Sequence, residues 1–185
     1  MIRSFGELER LARERPSRRL ALAMAQEGDA LRAALNAAER GIVEPVLVGS
    51  ESQTREIAER ENLDISPFTL IPVEGEEEAA ARAVQLVREG EAELLMKGRV
   101  PTATLMRSVL SSQSGLRGSG TLSHVTIVEI ETYPKLLLMS DPGLNIAPDL
   151  RIKVSIIDNA VTVAHALGIE RPKVAVIAAV EKVFG

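Results

Sequence analysis

The sequence has no cysteine and no tryptophan, and its aromatic residues are only Phe5, Phe68, Tyr133 and Phe184. Without a thiol there is no disulfide framework, no acyl-cysteine intermediate and no cysteine-based zinc site. So few flat rings argue against a base-stacking platform, and they leave the core to be packed from Leu, Val, Ile and Ala. Long apolar runs are missing too, so nothing approaches a membrane span. Residues 1–20 carry six arginines and lack the apolar centre of a secretory signal. Neither the Gly-x-x-x-x-Gly-Lys-Ser/Thr phosphate loop nor the Gly-x-Gly-x-x-Gly dinucleotide turn occurs. Cations are outnumbered by carboxylates, 22 to 26, giving a net charge of −4 and a pI near 5.4. They are interspersed with acids rather than massed on a stripe. This argues against a general nucleic-acid or membrane-surface binder and points to a small guest. The cytoplasm is the compartment these absences fit.

What is present is a 185-residue chain, 45% hydrophobic and 26% charged, enough for a real core. Its most telling stretch is Glu93 to Thr104. Leu94 to Met96 read as a short buried strand that ends in Lys97, Gly98 and Arg99, and Pro101 or Thr102 opens the next helix. A helix start offers unpaired N–H donors and positive partial charge. Lys97, Arg99, Thr102 and Thr104 would add to it, with Gly98 letting the backbone approach a ligand closely. Phosphate or a phosphorylated substrate is the natural guest. An ordinary solvated βα turn is the alternative.

Around this stretch, strand-like runs alternate with helical periodicity, the pattern of an α/β fold. An amphipathic segment at about 5–14 precedes strands at 20–24, 45–49, 68–73 and 94–97. Helices are expected at 29–40, from Ser50 or Ser52 through Glu61, at 76–89 and at 102–110. Gly41 is placed to stop the first of these helices. The turn-rich run Ser111 to Gly115 marks a boundary between units 1–115 and 116–185. Beyond it, residues 121–130 and 135–140 read as a hairpin-like pair. A loop from Asp141 to Asp149 then feeds a long helix with Ile152, Ile156, Ala160, Val163 and Leu167 on its buried face, stopped by Gly168. Residues 173–179 read as a further buried strand.

Lys97-Gly98 before a Thr-rich helix start, Thr104-Leu105-Met106-Arg107, Gly115-Leu116-Arg117, Leu122-Ser123-His124, Ser140-Asp141 to Asn145-Ile146-Ala147-Pro148 and Lys173-Val174-Ala175-Val176 together carry a resemblance. In order and spacing they resemble the phosphate acetyl/butyryl transferases, closest to the butyryl branch, over about residues 20–180. The resemblance implies a three-layer α/β/α fold of two subdomains, similar to isopropylmalate dehydrogenase-like proteins, with the active site in the intervening cleft. It implies exchange of a short acyl group between coenzyme A and inorganic phosphate. Both would be substrates, with no cofactor or metal, and a homo-oligomer is expected. Set against the family, the second subdomain is incomplete. The part carrying the catalytic aspartate and a Ser-Arg pair is absent, so the catalytic residues are unknown. A truncated chain and a natural short relative both fit, and an incomplete second sheet predicts dimerisation, domain swapping or poor solubility. The alternative function is a non-catalytic phosphate or coenzyme A binding or assembly module.

Attack of a thiolate on an acyl phosphate needs a deprotonated thiol, a polarised carbonyl and cations on the departing phosphate. Lys97, Arg99, Arg107 and Arg117 could supply the cations. Arg107 also matches a family arginine implicated in the substrate site, and its planar fork suits phosphate. Adjacent strand residues face opposite ways, so Ser123 and His124 should not form a nucleophile–base pair. Ser123 is instead a hydrogen-bonding cleft residue or a structural one, and His124 and His165 are read as structural. Asp141 and Asn145 lie in a loop after a strand, where α/β proteins place ligand contacts, and Asn145 could equally cap its turn. Asp149 is expected to cap the long helix.

Overall fold

The computed structural model describes residues 1–116, 118 and 120–177. They fall into two compact units, one formed by Arg10–Gly118 and the other by Met1–Glu9 with Ser119–Gly185.

The Arg10–Gly118 unit is built on four parallel strands: β1 (Arg18–Ala23), β2 (Val43–Gly49), β3 (Thr69–Pro72) and β4 (Leu94–Lys97), in the order β3-β2-β1-β4. The helices between them are α2 (Gly28–Glu39), α3 (Glu51–Arg60) and α4 (Glu76–Arg88), and α5 (Thr102–Leu110) follows β4. Successive strand residues point to opposite faces, and both faces are apolar. Leu20, Leu22, Val43 and Leu47 pack with Leu31, Leu35 and Ala58 of α2 and α3. Ala21, Ala23, Val46 and Val48 meet Ala83, Leu86 and Leu105 of α4 and α5 on the other side. This makes a three-layer α/β/α unit. The alanines of β1 and α4 let that helix lie close against the sheet.

Local signals set the ends of these elements. The Glu27 carboxylate caps α2, accepting from the Asp29 and Ala30 amides at 3.1 and 2.8 Å, and Gly41 ends it with φ +72°. Three glutamates, Glu76 to Glu78, lie at the positive end of α4. Ser50 precedes α3 as expected, but its side chain makes no capping bond. The strand expected to be buried at 94–96 is instead an edge strand among the described residues. Leu94 is 42% exposed, because β4 pairs only with β1.

The second unit begins with a short N-terminal stretch and the start of α1 (Phe5–Arg13). Ile2 N donates to Leu167 O at 2.9 Å, and Phe5 N to the Glu129 carboxylate at 2.7 Å. Its strands β5 (Val125–Val128) and β6 (Leu137–Ser140) form an antiparallel pair, followed by α6 (Leu150–Ala166). The expected hairpin is present but shorter than 121–130 and 135–140. Residues 121–124 are drawn off the ladder by side-chain bonds described below, and Pro134 has no N–H to give it. Asp149 caps α6, accepting from Ile152 N at 2.8 Å. On the expected buried face Ile156 and Leu167 are buried, whereas Ile152, Ala160 and Val163 are only half-buried. The strand expected at 173–179 is not formed in residues 173–177. Val176 and Ile177 are exposed there, and no strand among the described residues pairs with the segment. Its last two residues lie outside the described ones.

Candidate functional site

The chain builds β1, β2 and β3 outward in one direction and then returns to place β4 on the other side of β1. The strand order therefore reverses between β1 and β4. In open parallel sheets the carboxyl ends of two such strands diverge to leave a crevice, the usual place for a ligand. At the end of β1, Met24 adopts φ +58°, a left-handed conformation that a side-chain-bearing residue rarely takes. At the end of β4 come Lys97, Gly98 and Arg99.

Gly98 is required here by the sheet itself. Gly98 N donates to Ala23 O at 2.8 Å and Arg99 N to Met24 O at 3.0 Å, extending the pairing beyond the strands. A Cβ on Gly98 would lie 2.2 Å from Met24 O. The close approach expected toward a ligand is thus made to the neighbouring backbone. Lys97 folds over the turn, its ammonium donating to Gly98 O at 3.1 Å and Val100 O at 3.2 Å. Arg99 is exposed and has no side-chain partner among the described residues. It is the uncommitted cation of the turn.

The turn feeds α5, whose N-terminal end is capped by no side chain. Thr102 is exposed on its first turn and Thr104 is buried behind it. Arg107, a turn further along, donates to Glu77 Oε1 at 3.2 Å and to Thr104 Oγ1 at 3.4 Å. These three residues line a shallow hydroxyl-rich depression with Ser108, Ser111 and Ser114. Neither Lys97 nor Arg99 lines it, so the structure divides the expected cationic group between the β4 turn and the α5 surface. Arg117 lies outside the described residues.

Ser123, Asp141 and Asn145 belong to the other unit. The Asp141 carboxylate accepts from Gly143 N at 3.2 Å, Leu144 N at 2.9 Å and Asn145 Nδ2 at 2.6 Å. Partial burial pushes its pKa up, but the bonds from Leu144, Asn145, Gly143 and the His124 backbone outweigh this and bring it down to about 2. A carboxylate so weakly basic and so fully engaged organises its loop and is unsuited to take a thiol proton. Asn145 spends its second amide proton on Leu122 O at 3.0 Å, which ties the loop to the segment before β5. Ser123 accepts from Asn159 Nδ2 at 2.8 Å, and that amide also donates to Thr121 O at 2.9 Å. His124 Nε2 lies 3.4 Å from Thr126 Oγ1, turned to a neighbour other than Ser123.

Sequence reasoning missed Asn159 and the capping carboxylate of Glu27. Glu27 could have been found, since a carboxylate beside a helix start meets the positive end of the helix dipole. Asn159 carries no such signal, being one polar residue in an amphipathic helix. Among the described residues no three His, Asp or Glu converge as a metal site, and no helix is long and apolar enough to cross a membrane.

The family model for phosphate acetyl/butaryl transferase matches residues 75–184. The phosphate butyryltransferase of Clostridium beijerinckii is 42% identical over 183 residues, covering 99% of this chain and 61% of that protein. The phosphate acetyltransferase of Rhizobium meliloti is 40% identical over 150 residues, covering 81% and 48%. The crystal structure of a branched-chain phosphotransacylase from Enterococcus faecalis superposes with a TM-score of 0.74 at 29% identity, over 89% of this chain and 57% of that one. A phosphotransacetylase from Streptococcus pyogenes, at 18% identity and a TM-score of 0.75 over 90% and 60%, shares the fold. The chain thus spans about three-fifths of the length of the first relatives it matches.

Proposed function

The chain belongs to the phosphate acetyl/butaryl transferase family, and on that premise we propose that it works as an acyltransferase exchanging a short acyl group between coenzyme A and inorganic phosphate. Acyl-CoA and phosphate are its small-molecule substrates. The observation that carries this reading is the Lys97-Gly98-Arg99 turn at the reversal of strand order, leading into an uncapped helix start.

In the transfer, the thiolate sulfur of coenzyme A bonds to the acyl carbon. The bond from that carbon to the bridging oxygen breaks, and phosphate leaves with the electron pair. No metal or redox partner is needed for the balance. The barrier falls if charge on the departing oxygens meets fixed positive groups. Arg99 is available for this without breaking an existing bond. Lys97 holds the turn in shape and keeps one ammonium proton to give. Arg107, on the α5 surface apart from that turn, can take an anionic group of the substrate by exchanging its exposed Glu77 partner, an exchange that costs little because such surface pairs contribute about 0–1 kcal/mol. Thr102, Thr104 and Arg117 are further proposed substrate contacts of the Arg10–Gly118 unit; in the other unit, taken by itself, Ser123 is proposed as one, with Asp141 and Asn145 organising its loop. No base is assigned to the thiol.

Homo-oligomeric assembly and a cytoplasmic location complete the reading. Exposed Ile146, Leu150 and Val154 support the first, as apolar surface that a second copy would remove from water.

The test is release of free thiol from a short acyl-CoA, measured with and without inorganic phosphate. It would be run on this chain and on a form extended to the relatives' length. Phosphate-dependent release that drops at least tenfold in Arg99→Ala is the expected result. A folded, extended protein that binds phosphate but releases no thiol would replace the enzyme with a binding module.

A further inference from the structure

Gln26 follows β1 at the carboxyl edge of the four-stranded sheet, where it is only 3% exposed. Its Nε2 reaches the Met24 sulfur at 3.6 Å, and its Oε1 is buried without a hydrogen-bond partner among the described residues. Turning the amide over would not help. It would set oxygen against sulfur, two acceptors, so the nitrogen belongs on the sulfur and the oxygen is the atom left alone.

The neighbouring backbone leaves room for that oxygen. A Cβ on Gly49, at the end of β2, would stand 2.1 Å from Gln26 Oε1. Burying an amide oxygen with no donor costs stability, and an apolar side chain of similar size would avoid that cost. Such atoms are few in native proteins, and they mark places where function overrides packing.

Two other buried side-chain atoms share the condition, Arg19 Nε and Thr54 Oγ1. Arg19 lies near the amino end of β1 and Thr54 within α3, whereas Gln26 stands at the carboxyl ends of the strands, the edge where ligands bind. Met24 also links it to the cationic turn. The Met24 sulfur takes the Gln26 amide while its carbonyl takes Arg99 N at 3.0 Å, so one residue sets both the unpartnered oxygen and the turn.

We propose that Gln26 is a binding residue for the thiol-bearing arm of coenzyme A, its Oε1 accepting a hydrogen bond from an amide N–H of that arm. The proposal rests on the acyl-transfer reading above and adds the part of the substrate that cations cannot hold. Phosphate groups need donors, which an amide oxygen cannot be. The arm is neutral, carries secondary amides with N–H groups to give, and must run into the crevice to bring its sulfur to the acyl carbon. To meet it, Gln26 gives up only a weak contact to sulfur.

The test is the dissociation constant of coenzyme A for this chain, in wild type and Gln26→Leu. Inorganic phosphate and adenosine 3′,5′-bisphosphate, which has no arm, are measured beside it. Gln26→Leu is expected to bind coenzyme A about tenfold more weakly, the worth of one such bond, and the other two ligands as wild type does. Coenzyme A bound as tightly by the folded variant, or a loss shared equally by all three ligands, would overturn the inference and leave the proposed function standing. Should Gln26→Leu not fold, Gln26→Met, unbranched and of similar length, takes its place with the same expectation. A folded wild-type chain that binds phosphate alone would overturn the inference and leave the acyl-transfer reading to the thiol-release assay. One that binds none of the three would remove both.

Discussion

The two units stabilise themselves by different means. In the Arg10–Gly118 unit, Leu22, Leu31, Leu47 and Leu86 are at most 1% exposed, and the sheet is buried on both faces. In the other, the two strands share only four residue pairs, and Met139, Leu150 and Val154 are about half or more exposed. There the irregular segments are tied by Asn145, Asn159, Ser140 and Asp141 rather than by packing. Apolar burial is non-directional and tolerates small shifts, whereas a hydrogen-bonded loop depends on a few atoms. A site whose donors must be aimed is better served by the second kind, and a scaffold by the first.

The largest effect expected is in the sheet unit. Leu47→Ala should lose about 2–5 kcal/mol in urea unfolding, from lost burial and the cavity left behind. A loss no greater than that of an exposed Leu150→Ala would erase the contrast. Gly98→Ala should follow closely, since its Cβ would sit 2.2 Å from Met24 O and the neighbour is backbone that cannot swing aside. Hydrogen exchange of the Gly98 and Arg99 amides would report it, and unchanged protection would count against the packing role.

In the hairpin unit, Asn145→Ala should cost about 0.5–1.5 kcal/mol, the net worth of its bonds to the Asp141 oxygen and the solvent-accessible Leu122 carbonyl. Its signature is faster amide exchange confined to residues 141–146. A smaller effect depends on pH. The folded pKa of Asp141 lies below its ordinary 3.8, so the stability it adds is full above that value and is lost as pH falls toward about 2. The stability gap between wild type and Asp141→Asn should therefore narrow over this range, and a gap independent of pH would contradict the hydrogen-bonded loop. Least of all, Glu77→Gln should change stability by under about 1 kcal/mol, because its pair with Arg107 is exposed.

The helices and the four strands of the sheet unit were legible to within a few residues, although β4 is an edge strand rather than a buried one. Apolar periodicity, Gly41 and the glutamates of α4 are all local, and the structure uses each of them. The candidate site was legible in part. Lys97 and Arg99 announce themselves by charge at a strand end, and Asp149 by its place before a helix. Gly98 was noticed for the right property, its missing Cβ, but assigned the wrong neighbour, because no local feature says that Met24 lies beside it. Over residues 173–177 the expected strand is not formed for a related reason: apolar β-formers make a strand only beside another strand, and none among the described residues pairs there.

Alternation of strand and helix was thus decided by the sequence alone, since backbone sterics, caps and side-chain period act over a handful of neighbouring residues. Tertiary structure alone decided that β4 returns to the far side of β1, leaving a cationic turn where the sheet order reverses. It also brought Asn159 onto Ser123 across 36 positions of chain. The physical reason is that a strand's partner and a donor's acceptor are chosen by what lies close in space, which no short-range pattern records.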